Sequence, residues 1–247
     1  MKTPSSKFLT ATLSAGLALI LQSTVASGAL ITITEIVTGT GSTFTPPASL
    51  IQGITVSGTM GVPIAGGGGG FADWEQMNDG LVGTAFGDDS QAILLDNMAN
   101  SWAVWELDTS VNTLGYDITS FVSFAGFSGE RVWQGIEIKY ALVGETVSPN
   151  TELAHTLGGG PFVYQPVNGS ATSASTKMTI EDAIFGATII SGVSAIEVVY
   201  ADNGFGVNQT AYREFSVVGI ATVPEPFAIS LVSASLGILL LRRRIRR

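Results

Sequence analysis

Apolar and polar residues alternate with a period of two through most of the chain between Leu30 and Gly219. The pattern is clearest from Val132 to Leu142, where every second side chain belongs to one face. A period of two is typical of a half-buried β-strand, and no helical period appears in this region. The same signal predicts further strands at 31–37, 51–57, 92–95, 102–107, 118–124, 162–167, 175–180, 195–200 and 212–219. Short strands joined by Gly, Asn and Asp turns predict an all-β protein, a single antiparallel β-sandwich of jelly-roll type.

An apolar run near the N-terminus departs from this pattern. Lys2 and Lys7 precede the run 8–21, and small residues follow it through Ala29. This three-part layout is that of a secretory signal peptide, so we expect residues 1–29 to form a helix that signal peptidase removes between Ala26 and Leu30. The alternative is an uncleaved N-terminal anchor.

A second apolar run lies near the C-terminus. The tetrapeptide 223–226, Val-Pro-Glu-Pro, comes first; fifteen uncharged residues, 227–241, follow, and the basic tail 242–247 carries five arginines. At about 1.5 Å per residue a helix of this run reaches only ~22 Å, short of the ~30 Å hydrocarbon core. The arginines stay on the cytoplasmic side, which leaves the preceding residues outside that membrane. We expect a transmembrane helix that is a poor permanent anchor.

These parts, in this order, resemble the PEP-CTERM sorting signal, which in bacteria that make extracellular polysaccharide is recognised by the membrane protease-transpeptidase exosortase. The resemblance covers residues 223–247 and implies that Pro224, Glu225 and Pro226 form the recognition element. It also implies that the apolar helix and the arginine tail are removed after sorting. The alternative is an ordinary C-terminal anchor on a proline-containing stalk.

The sequence between the two ends divides at a run of five glycines, 66–70. We expect residues 30–70 to supply N-terminal strands and a Gly-rich linker, and residues 71–220 to form the main sandwich. The run 158–160 reads as a second flexible surface loop.

Charge and composition exclude several functions. Seven of the eleven basic residues lie in the two terminal segments, whereas nearly all of the 20 carboxylates lie between them. A body this acidic repels phosphate backbones, so nucleic-acid binding is not expected. Cysteine is absent, and His155 is the only histidine, which excludes thiolate and multi-histidine metal sites. We predict that the protein is not an enzyme, although a glycosidase needs only two placed carboxylates.

Ordered segments of the body resemble galactose-binding-like domains, which include discoidin domains and many carbohydrate-binding modules. The matching segments are Met77-Asn78-Asp79-Gly80, Trp105-Glu106-Leu107-Asp108, residues 114–120, residues 131–138 and residues 212–217. The resemblance implies a structural Ca²⁺ held by Asp79, Glu214 and nearby carbonyl oxygens, a donor set that suits this ion. The alternative is that Asp79 favours a turn and Glu214 pairs with a surface cation.

The same resemblance places a sugar ligand on loops at one end of the sandwich, where an aromatic ring stacks on the pyranose. The candidate ligand-binding residues are Trp74, Phe127, Arg131 and Trp133. Some of these aromatic residues lie in strand-like stretches, where core packing is the competing role.

The leading hypothesis is an exported, exosortase-processed protein of the bacterial cell surface or extracellular matrix, a non-catalytic module associated with extracellular polysaccharide. The alternative is a small secreted glycoside hydrolase or lyase that acts on the matrix, and a third possibility is a structural protein without a ligand.

Overall fold

The computed structural model describes residues 29–38, 44–60, 64–65, 74–83, 93–96, 101–127, 134–158, 161–164, 174–200 and 209–223. The predicted signal peptide, the glycine run 66–70 and the sorting signal beyond Val223 lie outside these residues. Within them, no helix is long and apolar enough to cross a membrane.

The regular secondary structure of the described residues is almost entirely β, which confirms the all-β prediction. Twelve strands and one 3₁₀ turn, Trp74–Met77, are present in these ranges. The strands are β1 Leu30–Thr38, β2 Gly58–Met60, β3 Ile64–Ala65, β4 Ile93–Asp96, β5 Ser101–Glu106, β6 Tyr116–Phe127, β7 Gln134–Leu142, β8 His155–Thr156, β9 Phe162–Tyr164, β10 Ala174–Asp182, β11 Ile190–Tyr200 and β12 Gln209–Ala221.

All pairings between these strands are antiparallel, and they form two layers. One layer runs β1-β10-β6-β12-β4-β3, and the other runs β2-β5-β11-β7, with β8 and β9 beside β7. The start of β11 pairs with the start of β6 and joins the two layers through a register shift between Ile190 and Val193.

The main core lies between the layers. Trp105 of β5 stacks on Phe215 of β12 at 6.3 Å between ring centroids, and Tyr200 of β11 meets Tyr212 of β12 at 4.6 Å. These aromatic contacts cross from one layer to the other, so the inward faces of both layers are buried against each other. The outward face of each layer carries a smaller apolar cluster of its own.

The N-terminal strands belong to the same fold as the rest of the body. β1 pairs with β10, β2 with β5 and β3 with β4. The expected separation of residues 30–70 from the main sandwich therefore does not extend to these strands.

The predicted strand at 51–57 is wrong. Gly53 has a φ of 70°, and Ile54 N donates a hydrogen bond to Ile51 O at 3.0 Å, so the chain turns here. Ile51 is nevertheless fully buried. The apolar residues of this segment enter the core from a turn, which a period-two pattern cannot distinguish from a strand.

Strand directions give the body two distinct ends. At the first, which we call the exit end, β6 begins, and β5, β7, β10 and β12 finish. At the second, which we call the Asp79 end, β6 finishes at Phe127 and β12 carries Glu214 beside the loop that contains Asp79. The two ends differ in chemistry.

Candidate functional site

The structure brings the two predicted calcium ligands together. Glu214 is fully buried on β12, and its Oε2 accepts a hydrogen bond from Gly80 N at 3.1 Å, in the loop that carries Asp79. Burial, together with the neighbouring carboxyl of Asp79, raises the pKa of Glu214 to about 8. The pKa of Asp79 is also raised, chiefly by its own burial. Two carboxyls in contact here favour a shared proton or a bound cation.

The loop around Asp79 has a conformation that its sequence dictates. Asp79 Oδ1 accepts the amide hydrogen of Leu81 at 2.8 Å, which is a local turn of the kind that Asp favours. Gly80 has a φ of 84°, and a Cβ at this position would lie 2.3 Å from the side-chain nitrogen of Gln52. A glycine is therefore needed directly after Asp79.

Two buried polar side chains fix this loop to the body. Arg213 donates from Nε to Gly126 O and from Nη1 to Val82 O, both at 2.9 Å. Asn78 donates from Nδ2 to the carbonyl oxygens of Ile51 and Ile54. Asp79 thus lies on a loop that is held from both sides and faces Glu214 on β12, so little movement would be needed to bind an ion between them.

The donor set fits a calcium ion in chemistry. Glu214 Oε1 and Asn78 Oδ1 are buried and accept no hydrogen bond from the residues that the structure describes. Burying an oxygen that accepts no hydrogen bond costs free energy, and coordination to a hard cation would offset that cost. No group of three or more His, Cys, Asp or Glu side chains converges anywhere in the described ranges. Within the described ranges, any further ligands would therefore be amide, carbonyl or water oxygens.

Trp74 is a correction to the predicted ligand set. Its side chain is only 7% exposed, and its ring stacks on Tyr200 at 5.7 Å between centroids. A ring covered by the core cannot stack on a sugar, so Trp74 is a packing residue.

The other ligand candidates follow strand β6. The backbone of Phe127 ends β6 at the Asp79 end, and its side chain lies outside the described part. Arg131 and Trp133 fall in the connection between β6 and β7, also outside it, as do Pro224, Glu225 and Pro226. These residues stay predictions.

A second polar cluster, near the exit end, was not predicted. His155 Nε2 lies 2.8 Å from Glu145 Oε1, and the imidazole stacks on Tyr140 at 5.1 Å. Lys139 pairs with Glu152 and Glu137. The sequence alone gives no sign of this contact, because only the pairing of β8 with β7 places His155 against Tyr140.

An open groove of about 430 Å³ lies beside this cluster. It is lined by Ala141, Glu145, Thr146, Ser148 and residues 151–154. Beneath it, Glu197 is fully buried, and its Oε2 accepts the amide hydrogen of Leu153 at 2.6 Å. Burial raises the pKa of Glu197 to about 7. No aromatic face lines the groove, so it lacks the stacking surface expected of a sugar site.

Comparison with known proteins gives only distant similarity. No protein-family model and no curated protein sequence matches the chain. A solved pectin-binding carbohydrate-binding module is 14% identical, covers 54% of this chain and 75% of its own, and has a TM-score of 0.29. The carbohydrate-binding module CBM32-2 of GH31, solved with bound GalNAc, is 11% identical, covers 76% of this chain and 97% of its own, and has a TM-score of 0.36. Likeness at this level carries no argument about what the chain binds.

Proposed function

We propose that this chain is an exported, non-catalytic β-sandwich module that is sorted to the bacterial surface through its C-terminal signal and there binds extracellular polysaccharide. Signal peptidase removes residues 1–29, and exosortase recognises Pro224, Glu225 and Pro226. A calcium ion at Asp79 and Glu214 stabilises the module.

The observation that carries the sorting proposal is the position at which strand β12 ends. Strand β12 continues to Ala221, and Thr222 N donates to Gly115 O at 2.9 Å. Thr222 Oγ1 also donates to Asp117 Oδ1 at 2.6 Å. Thr222, which these two bonds hold, immediately precedes the tetrapeptide 223–226. A protease that reads an extended Pro-Glu-Pro segment needs it outside the sheet, and the end of β12 supports that arrangement.

The calcium proposal is supported by the Asp79 and Glu214 contact. When bound, the ion would supply positive charge between the buried carboxylate of Glu214 and the half-buried carboxylate of Asp79, and it would tie the last strand to the loop at 78–83. Asp79 and Glu214 would hold it through carboxylate oxygens, while Asn78 and Arg213 position the loop. Its role here is structural, and no reaction depends on it.

The glycan proposal places the ligand at the Asp79 end. It rests on the sequence resemblance that selected Phe127, Arg131 and Trp133, and on the strand ends that flank this segment, since β6 ends and β7 begins at the Asp79 end. The chain leaves towards the membrane from the opposite end, so loops at the Asp79 end would face outward.

Binding to the host's own polysaccharide tests the glycan proposal. We expect the secreted module to bind it saturably without releasing reducing ends, and Trp133→Ala to weaken binding at least tenfold. Val111→Ser, an exposed substitution at the exit end, is the matched control and should bind normally. Release of reducing ends that one Asp or Glu substitution abolishes would instead support the hydrolase.

Sorting is tested separately in the host. Replacing Pro224 and Pro226 together by Ala should leave residues 227–247 attached and the protein in the membrane fraction. Processing that is unchanged by this double substitution would contradict recognition of the motif by exosortase.

A further inference from the structure

Exposed large apolar side chains concentrate at the exit end of the body. They occupy three loops and the last described residues, and the main ones are Val111, Leu114, Val143, Ile184, Phe185 and Val223. We call these six side chains the exit face. Phe185 is 88% exposed and Val111 is 77% exposed, values that leave almost the whole side chain in water. Clustered exposure of this kind marks an interaction surface.

The three loops of the exit face are neighbours in space. Val143 N donates to Gly192 O at 2.9 Å, and a Cβ on Gly192 would lie 3.6 Å from Leu114 O. A Cβ on Gly115 would lie 2.8 Å from a methyl group of Val143. The remaining loop, 183–189, joins β10 to β11 at the same end, where Ile189 N donates to Ile118 O at 2.7 Å.

Both terminal segments of the chain leave the body from this end. Ala183 N, next to Ile184, donates to Ala29 O at 3.0 Å, which fixes the residue where the predicted signal peptide ends. At the other terminus the chain is fixed at Thr222 by its two hydrogen bonds. The two predicted membrane segments are therefore attached at one end of the body.

The distance from the body to the bilayer is short. Four residue steps separate Val223 from Phe227, where the apolar run begins, and a fully extended chain covers at most about 14 Å in four steps. With Phe227 at the membrane surface, the exit end cannot lie farther from that surface than this length.

We propose that the exit face docks on the lipid bilayer, with Ile184 and Phe185 entering the interfacial region, while the precursor is held by its C-terminal segment. This inference rests on the membrane attachment in the proposed function. Aromatic and branched apolar side chains at a loop tip are suited to that interface. Docking orients the Asp79 end away from the membrane and keeps residues 224–226 at the bilayer surface.

The charged residues near the exit face determine which lipid head groups it can approach. Glu106, Asp108 and Glu145 are exposed near the exit face. Lys139 and Lys177 lie within strands, and Arg213 lies at the Asp79 end, so no basic residue of the described ranges lies in these loops. Docking is therefore apolar, and anionic lipid repels it.

The absence of native cysteine makes a direct test possible. The full chain is reconstituted into phosphatidylcholine vesicles with a nitroxide on Phe185→Cys or, as the matched control, on Leu81→Cys. Leu81 is 55% exposed and lies at the Asp79 end. We expect the ratio of oxygen to nickel-complex accessibility to be severalfold higher at position 185 than at position 81. Ile184→Ser should lower the ratio at 185.

Equal, water-like ratios at the two positions in vesicle-bound protein would overturn the docking and leave the membrane attachment intact. A chain that does not float with the vesicles would overturn the attachment and the docking with it. A label at 185 that is shielded from both reagents, in proportion to protein density, would assign the exit face to a second copy of the chain. A ratio that rises on vesicles containing anionic phosphatidylglycerol would also contradict the apolar mode.

Discussion

At the scale of single residues, the acids of this protein differ sharply in what their surroundings do to them. Asp108 is exposed, and its bonds to the Ser110 hydroxyl and amide lower its pKa. Glu197 and Glu214 are fully buried, and burial raises the pKa of each towards or above neutrality. The large negative charge of the sequence therefore overstates the charge that the folded body carries at neutral pH.

Calcium should stabilise the body through Asp79 and Glu214. At a concentration one hundred times the dissociation constant, a bound ion adds about 2.7 kcal/mol. For a body of this size, that raises the melting temperature by about 5 to 10 °C. Asp79→Asn and Glu214→Gln should abolish the shift, and Asp108→Asn, at the opposite end, should retain it. Differential scanning calorimetry in calcium and in chelator measures the effect, and an equal shift in all variants would argue against this site.

Glu197 should make stability depend on pH. Its pKa rises to about 7 on folding, so the folded state binds this proton more tightly than the unfolded state does. The stabilising contribution of protonated Glu197 is complete below about pH 4.5 and is lost as the pH rises through 7, a change of about 3 kcal/mol.

Glu197→Gln tests this dependence, because its amide oxygen can still accept the hydrogen bond of Leu153 N. We expect the difference in unfolding free energy between Glu197→Gln and wild type to change in favour of the variant between pH 5 and pH 8. Comparison at matched pH cancels the contribution of Glu214. A difference that stays constant across this range would show that Glu197 does not titrate as described.

At the scale of elements, most of the strands could be predicted from the sequence. Strands β1, β5, β6, β10 and β12 fall where alternation predicts them, and β7 begins two residues after its predicted start. The segment 51–57 was misread because its apolar residues are buried from a turn. Its conformation depends on Asn78, which lies more than twenty residues away and bonds two of its carbonyls. A local pattern contains no information about such a partner.

The candidate site could be predicted only in part, because its contacts also join residues that are distant in the sequence. Asp79 and Glu214 were selected by resemblance, and the structure brings them together through the register of β12 on β6. The stacking of His155 on Tyr140 and the burial of Trp74 both depend on pairings between distant segments. Residue type alone could not separate a core tryptophan from a surface one.

The turn at 51–54 should depend on Asn78. Asn78→Ala leaves the carbonyl oxygen of Ile54 without its donor and leaves that of Ile51 with only the bond from Ile54 N, which together cost about 1 to 3 kcal/mol. Urea unfolding measures the loss, and hydrogen exchange should show reduced protection at Gly53, whose amide bonds Asn78 O. Gln52→Ala, at an exposed position in the same turn, is the control and should change stability by less than about 0.5 kcal/mol. Wild-type protection at Gly53 in Asn78→Ala would show that the turn forms without this side chain.

At the scale of the whole molecule, the two ends of the sandwich have different tasks in this account. The exit end holds both chain exits and the exposed apolar loops. The Asp79 end holds the paired acids Asp79 and Glu214 and the last residue of β6, where the predicted ligand loop starts. The strands run between these two ends, so their length sets the distance between the exit end and the Asp79 end. The body would thus display one end outward while the other stays at the membrane until the sorting signal is processed.

The measurement that tests this account most directly is the intact mass of the protein isolated from the surface of its native cell. We predict a chain that begins between residues 27 and 30 and lacks the apolar run and arginine tail beyond Pro226, with or without an attached group. A full-length chain of 247 residues recovered from the cytosol would contradict the account.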